Sequence, residues 1–178
     1  MRIRYWFWVP AVLGLTTDLT SKHLVFAWLG RLSERRYEVL GSWLVLQPPE
    51  SFNTGGVFGI LPGKSLVFVV LTIIALGFVA WMELKARREQ RVLHLALGLV
   101  TGGAVGNLVD RLWFGGVRDF IYVEVIRWPA FNIADTCICV AAATLAVLVF
   151  RDEVGGKDTA EAHDAGQEQA GAPRRGGG

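Results

Sequence analysis

The sequence predicts an all-α membrane protein with four transmembrane helices. Three stretches, Ser65–Met82, Val92–Val109 and Thr136–Phe150, contain no Asp, Glu, Lys or Arg. A fourth, Tyr5–Leu29, is apolar apart from Asp18, Lys22 and His23. A hydrocarbon core about 30 Å thick is crossed by roughly 20 mostly apolar residues in a helix. The spans are therefore placed at about 5–28, 65–84, 92–112 and 132–150, in one domain over residues 1–151. Basic residues fall between them in a pattern that sets the orientation.

The first span has Arg2 and Arg4 before it, as a leader peptide would. No small-x-small cleavage site follows, and Asp18 and Lys22 stand where one belongs, so the span is expected to be retained. The link ELKARREQR between spans two and three carries four basic residues, and Arg151 follows span four. Cytoplasmic loops collect Lys and Arg, which predicts cytoplasmic termini and outward-facing segments 30–64 and 114–134. Glu83 and Glu89 are assigned to the cytoplasmic link, and no acid to the inner half of a span. His94, on an apolar helix near that end, reads as an interfacial polar residue.

In the outer segments, SWLVLQ has strand character up to Pro48 and Pro49, and FNTGGVFGILPG is rich in glycine. FIYVEVIRW has the β-branched and aromatic content of an interfacial strand, with Pro129 as its breaker. A small sheet on the outer membrane surface is expected. The tail 152–178 is rich in Gly, Ala and charge without an apolar period, and is expected to be disordered. The net charge of +2 gives no reason to expect a nucleic-acid partner. Cys137 and Cys139 sit two apart on one helix, point different ways and read as small apolar fillers rather than a metal pair or a disulfide. No cluster has metal-ligand spacing, so neither metal nor cofactor is expected.

The polar residues within the spans carry the functional question. At a rise of about 1.5 Å per residue, Asp110, Asp119 and Asp135 all fall toward the outer side. Intramembrane charge is costly and points to function by default. Asp18 and Lys22 are spaced i, i+4 and pair on one face; Asp110 and Arg111 are candidates for the same network, with Asn107 on their face. For these, an ion-paired scaffold and substrate positioning stand side by side. Gly98, Gly102 and Gly106 make a flat face for close helix packing.

Asp119 and Asp135 fit a scaffold less well. Asp135 has no basic neighbour at helical spacing, and Arg118 points away from Asp119 if the segment is extended. If the two carboxyls meet, they share a proton, and the pair suits aspartyl-protease chemistry. A proton relay in a small transporter, or a non-enzymatic scaffold, uses the same residues.

Five motifs then occur in order: D-L-T-S-K at 18–22, F-N-T-G-G-V-F at 52–58, G-G-A-V-G-N-L-V-D-R at 102–111, V-R-D-F-I at 117–121 and F-N-I-A-D at 131–135. Together, over residues 5 to 150, the chain closely resembles the lipoprotein signal peptidase family, signal peptidase II. The resemblance implies an enzyme of the bacterial cytoplasmic (inner) membrane that removes signal peptides from diacylglyceryl-modified prolipoproteins, just before the lipidated cysteine. It implies Asp119 and Asp135 as catalytic dyad. Asp18, Lys22, Asn53, Gly55, Asn107, Asp110, Arg111, Asn132 and Ala134 match positions that bind substrate or brace the site. It also implies an extracytoplasmic β-cradle, a short surface helix, lipid and lipid-modified signal peptides as partners, and a monomer. Gly56-Val57 departs from the small pair usual in the family. The asparagines suit either hydrogen bonds to substrate backbone or helix bracing.

Overall fold

The structure, a computed structural model, describes residues 4–32, 36–41, 43–49, 52–55 and 63–151. The tail and the Gly56-Val57 pair lie outside them. Four long helices are present: α1 (Tyr5–Leu29), α2 (Ser65–Lys85), α3 (Arg91–Phe114) and α4 (Ile133–Arg151). By length and composition α2, α3 and α4 can each cross a membrane. Their outward side chains, such as Ile73, Ile74, Phe78 and Val147, are exposed, as lipid-facing residues are. One threonine hydroxyl on each of these helices is satisfied within it: Thr72, Thr101 and Thr144 donate to the carbonyl four residues back at 2.7–2.8 Å.

Helix α3 is the central element, and its small residues make it so. A β-carbon on Gly98 would lie 2.3 Å from the Phe7 carbonyl oxygen, and one on Gly102 would lie 2.5 Å from that of Ala11. On another face a β-carbon on Gly103 would lie 2.5 Å from the Ala134 carbonyl oxygen of α4. The flat face expected from Gly98, Gly102 and Gly106 is thus the seat of α1, while Gly103 seats α4. Phe7, Val79 and Leu97 join α1, α2 and α3 in an apolar cluster.

Two segments distant in sequence build one antiparallel sheet, in the order β1 (Tyr37–Glu38), β2 (Val45–Leu46), β3 (Ile121–Val123) and β4 (Trp128–Phe131). Val45 pairs with Tyr122 and Leu46 with Ile121, so the two segments are stitched together. A 3-10 turn, Glu124–Ile126, and Arg127 in the left-handed region (φ 50°) connect β3 to β4. Pro129 does not break the strand: it lies inside β4, which among the described residues pairs only with β3, and an edge strand tolerates the missing donor. Arg36 grips Glu124 with both terminal nitrogens, at 2.6 and 2.9 Å, and ties β1 to that turn.

Helix α3 ends where Gly115 adopts φ 75° and its N–H caps the Arg111 carbonyl at 3.1 Å. Beside it, a β-carbon on Gly116 would lie 3.0 Å from Phe52 Cβ. Here Asn53 and Val117 exchange two backbone hydrogen bonds of 2.9 Å. That bridge delivers Asn53 to the carboxylates described below.

Replacing Gly102 with Ala is expected to destabilise the protein by about 1–3 kcal/mol through overpacking. Gly77→Ala, where a β-carbon meets nothing within 4 Å, should be neutral or stabilising by up to about 1 kcal/mol. Thermal unfolding in one detergent compares the two.

Candidate active site

The site begins with a buried ammonium. Lys22 and Asp18, one turn apart on α1, and Asp110 on α3 are all 0% exposed. Lys22 Nζ lies 2.7 Å from Asp18 Oδ2, 3.0 Å from Asp110 Oδ2 and 3.1 Å from Asn107 Oδ1. It donates hydrogen bonds to Asp18 and Asn107 and forms an ion pair with Asp110. Arg118 completes the charge balance, donating to Asp110 Oδ1 from Nε at 3.0 Å and Nη2 at 2.7 Å, and from its backbone N–H to Oδ2 at 3.0 Å. Two anions face two cations. The remaining oxygen of Asp18 accepts the backbone N–H of Ala134 at 2.9 Å, which pins α1 to the start of α4.

Asp119 and Asp135 hang from this network. Asn107 Oδ1 accepts from Lys22 and, at 3.0 Å, from Asn132 Nδ2. Two donors on the oxygen fix the amide's orientation, so its nitrogen faces Asp135 Oδ1 at 2.8 Å. Asn132 is the N-cap of α4. Its Oδ1 accepts from the Asp135 N–H at 3.0 Å, and Asp135 Oδ2 accepts from the Asn132 N–H at 3.2 Å. This reciprocal capping box holds Asp135 in one pose. Asn132 Nδ2 also donates to Asp119 Oδ1 at 2.7 Å, and Asn53 Nδ2 to Asp119 Oδ2 at 3.0 Å. One asparagine therefore touches both carboxylates. Asp119 is 4% exposed, and its pKa is pushed up to about 6 by burial; the Asn53 hydrogen bond opposes the rise and the charge of Asp135 adds to it.

Both aspartates line a cavity of about 810 Å³. Its α3 wall runs from Arg111 through Asn107 and Ala104 to Val100, about 16 Å along the helix. Phe68, Leu71, Thr72 and Ala75 of α2 face it, with Ile138 and Cys139 of α4. Trp128, Pro129 and Ala130 lie at the sheet end. The cavity is polar where the carboxylates are and apolar along its depth. Arg111 stands at the polar end, its Nη2 donating to the Gly55 carbonyl at 3.2 Å and its guanidinium 5.3 Å from the Phe68 ring centroid. Its Nε is buried with no hydrogen-bond partner among the described residues. Gly55 in turn donates its N–H to Asn53 Oδ1 at 3.0 Å.

Asp18, Lys22, Asn53, Gly55, Asn107, Asp110, Arg111, Asn132 and Ala134 thus lie around Asp119 and Asp135. Some roles differ from expectation. Arg111 does not join the Lys22 network; Arg118 fills that place, and it turns away from Asp119 as an extended segment requires. The three asparagines donate to the carboxylates, a role sequence reasoning had not assigned, and Asn132 is also a cap. The signal was present in F-N-I-A-D, which has an N-cap residue and an acid three positions later. Cys137 packs 3.5 Å from the β-carbon position of Gly14, whereas Cys139 reaches the cavity. Glu83 is not a free link residue: it lies inside α2, buried and bonded to His94. His94 likewise is buried rather than interfacial.

The fold of this helical membrane protein is shared by solved structures. Two bacterial membrane enzymes determined by the in meso method, at 2.3 and 1.9 Å resolution, superpose with TM-scores of 0.74 and 0.70 at 28 and 27% identity. They cover 82 and 81% of this chain, and 87 and 92% of theirs. The sequence model of signal peptidase (SPase) II matches residues 10–151, and the chain belongs to that family. Lipoprotein signal peptidases of Halalkalibacterium halodurans and Pelotomaculum thermopropionicum are 41 and 45% identical over 104 and 100 residues. Those matches cover 57 and 56% of this chain, and they span 66 and 64% of the relatives' own lengths.

Lys22→Met leaves Asp18 and Asp110 buried without their shared cation. A loss of about 3–5 kcal/mol is expected, read as a lowered unfolding midpoint in detergent.

Proposed function

We propose that the chain is an intramembrane aspartyl endopeptidase that removes the signal peptide from diacylglyceryl-modified bacterial prolipoproteins, cutting just before the lipidated cysteine. Family membership supports the substrate class. The observation that carries the chemistry is Asn132, bonded to both Asp119 and Asp135 at the polar end of a cavity that is apolar along its depth. Such a cavity suits a peptide bond beside acyl chains. In this reading the protein crosses the cytoplasmic membrane four times as a monomer, with both termini inside and the site toward the outer face. Helix α1 can lie in the bilayer because Asp18 and Lys22 neutralise each other.

The pair works with one proton between them. With that proton, the dyad balances the single positive charge of Arg111. The ionised carboxylate takes a proton from water as the water oxygen bonds to the scissile carbonyl carbon. The protonated carboxyl gives its proton to the carbonyl oxygen. In the second step the C–N bond breaks, the amine nitrogen takes a proton from the dyad, and the hydroxyl proton returns to it. The pair titrates as a unit, so neither member is assigned as base. Arg111 Nε supplies an unused donor at the polar end, suited to a substrate carbonyl that lipid leaves unsatisfied.

Asp119→Asn and Asp135→Asn are each expected to slow processing of a lipidated precursor by at least about 10²–10⁴-fold; wild-type rates from either variant reject the reading. Chelator is expected to leave cleavage undiminished. The ratio kcat/KM reports the free enzyme. It should fall as pH rises through about 6, because the doubly ionised dyad lacks the proton it donates. Asn53→Ala deletes a bond that lowers the Asp119 pKa, so this alkaline limb should move to higher pH.

A further inference from the structure

A second buried polar cluster lies at the opposite end of α3 from the dyad, and the proposed chemistry makes no use of it. His94, in the first turns of α3, is 2% exposed and Glu83, near the end of α2, is 7% exposed. His94 Nδ1 lies 2.8 Å from Glu83 Oε2, and Nε2 lies 2.9 Å from the backbone carbonyl oxygen of Arg87. Arg4, just before α1, donates to Glu83 Oε1 at 3.0 Å and also to the Glu83 carbonyl. Among the described residues these are the charged groups that face His94, Glu83 directly and Arg4 through it. Arg91 is turned away, 5.6 Å from the Trp6 ring centroid. The nearby packing of Phe7, Val79, Met82, Leu93 and Leu97 is apolar.

The proton count follows from the acceptors. A carbonyl oxygen only accepts, so Nε2 carries a hydrogen. In neutral imidazole Nδ1 would then present a lone pair to a carboxylate oxygen at hydrogen-bond distance, which repels. One more proton must sit between Nδ1 and Oε2. Arg4 on the other carboxylate oxygen favours the ionised glutamate, which assigns that proton to the ring.

We propose that His94 is held as an imidazolium and that its two N–H bonds form a tie, locking the end of α2 and the 86–90 turn onto the start of α3. Helices α2 and α3 are two walls of the dyad's cavity, so this tie sets their spacing from the far end.

Nuclear magnetic resonance of the full chain with 15N-labelled histidine, assigned by the missing signals of His94→Gln, tests the ring state directly. Two protonated nitrogens at about pH 6.5 are expected; an unprotonated nitrogen on His94 overturns the proposal. A spin-label pair on the exposed Leu84 and Val92 reads the tie itself. The distance should be short in the wild type, stay short in His94→Lys, whose ammonium keeps two donors, and lengthen in His94→Gln. A His94→Gln distance equal to that of the wild type overturns the tie. None of these readouts depends on peptidase activity.

Discussion

The ammonium of Lys22 is the interaction on which the site is built. A fully buried cation in a membrane protein is tolerated only where every proton meets an acceptor and nearby charge cancels it. Lys22 is accommodated by drawing on two helices: hydrogen bonds to Asp18 of its own turn and Asn107 of α3, and an ion pair with Asp110 of α3. Its bond to Asn107 is the consequential one. By occupying the Asn107 oxygen it turns that amide's nitrogen toward Asp135. A charge that ties the helices together thereby also decides which way a neutral donor points at a carboxylate.

That construction needs helices closer than ordinary side chains permit. A β-carbon on Gly106 would lie 2.4 Å from Asp18 Oδ2, so the glycine is what admits the ion pair to the α1–α3 interface. Gly98 and Gly102 do the same for backbone contact below it. The flat face and the buried charges are one design. Without the close approach Lys22 would not reach Asp110, and without the ionic bonds the flat face would have only dispersion to hold it in lipid.

Much of this was legible in residues. Charge-free runs gave the long helices, the i, i+4 spacing of Asp18 and Lys22 gave their pair, and the glycine period gave the α3 face. What stayed hidden was hidden for physical reasons. Arg118 reaches Asp110 because α3 stops at Gly115 and the chain reverses, a turn no periodicity reports. Pro129 survives in a strand because β4 happens to be an edge, which is a property of the sheet. Glu83 and His94 looked like surface residues because their partners come from separate segments. Each is acceptable inside only because the other is there.

Helix α3 shows how far local rules carry and where tertiary structure takes over. One end is held by Lys22, which joins Asp18, Asp110 and Asn107, the other by His94, which joins Glu83 to the Arg87 carbonyl. The aspartate pair sits at the lysine end. Separating the two ties by the length of α3, about 20 Å between His94 and Asn107, leaves mechanical coupling through helix spacing as the route between the two ends.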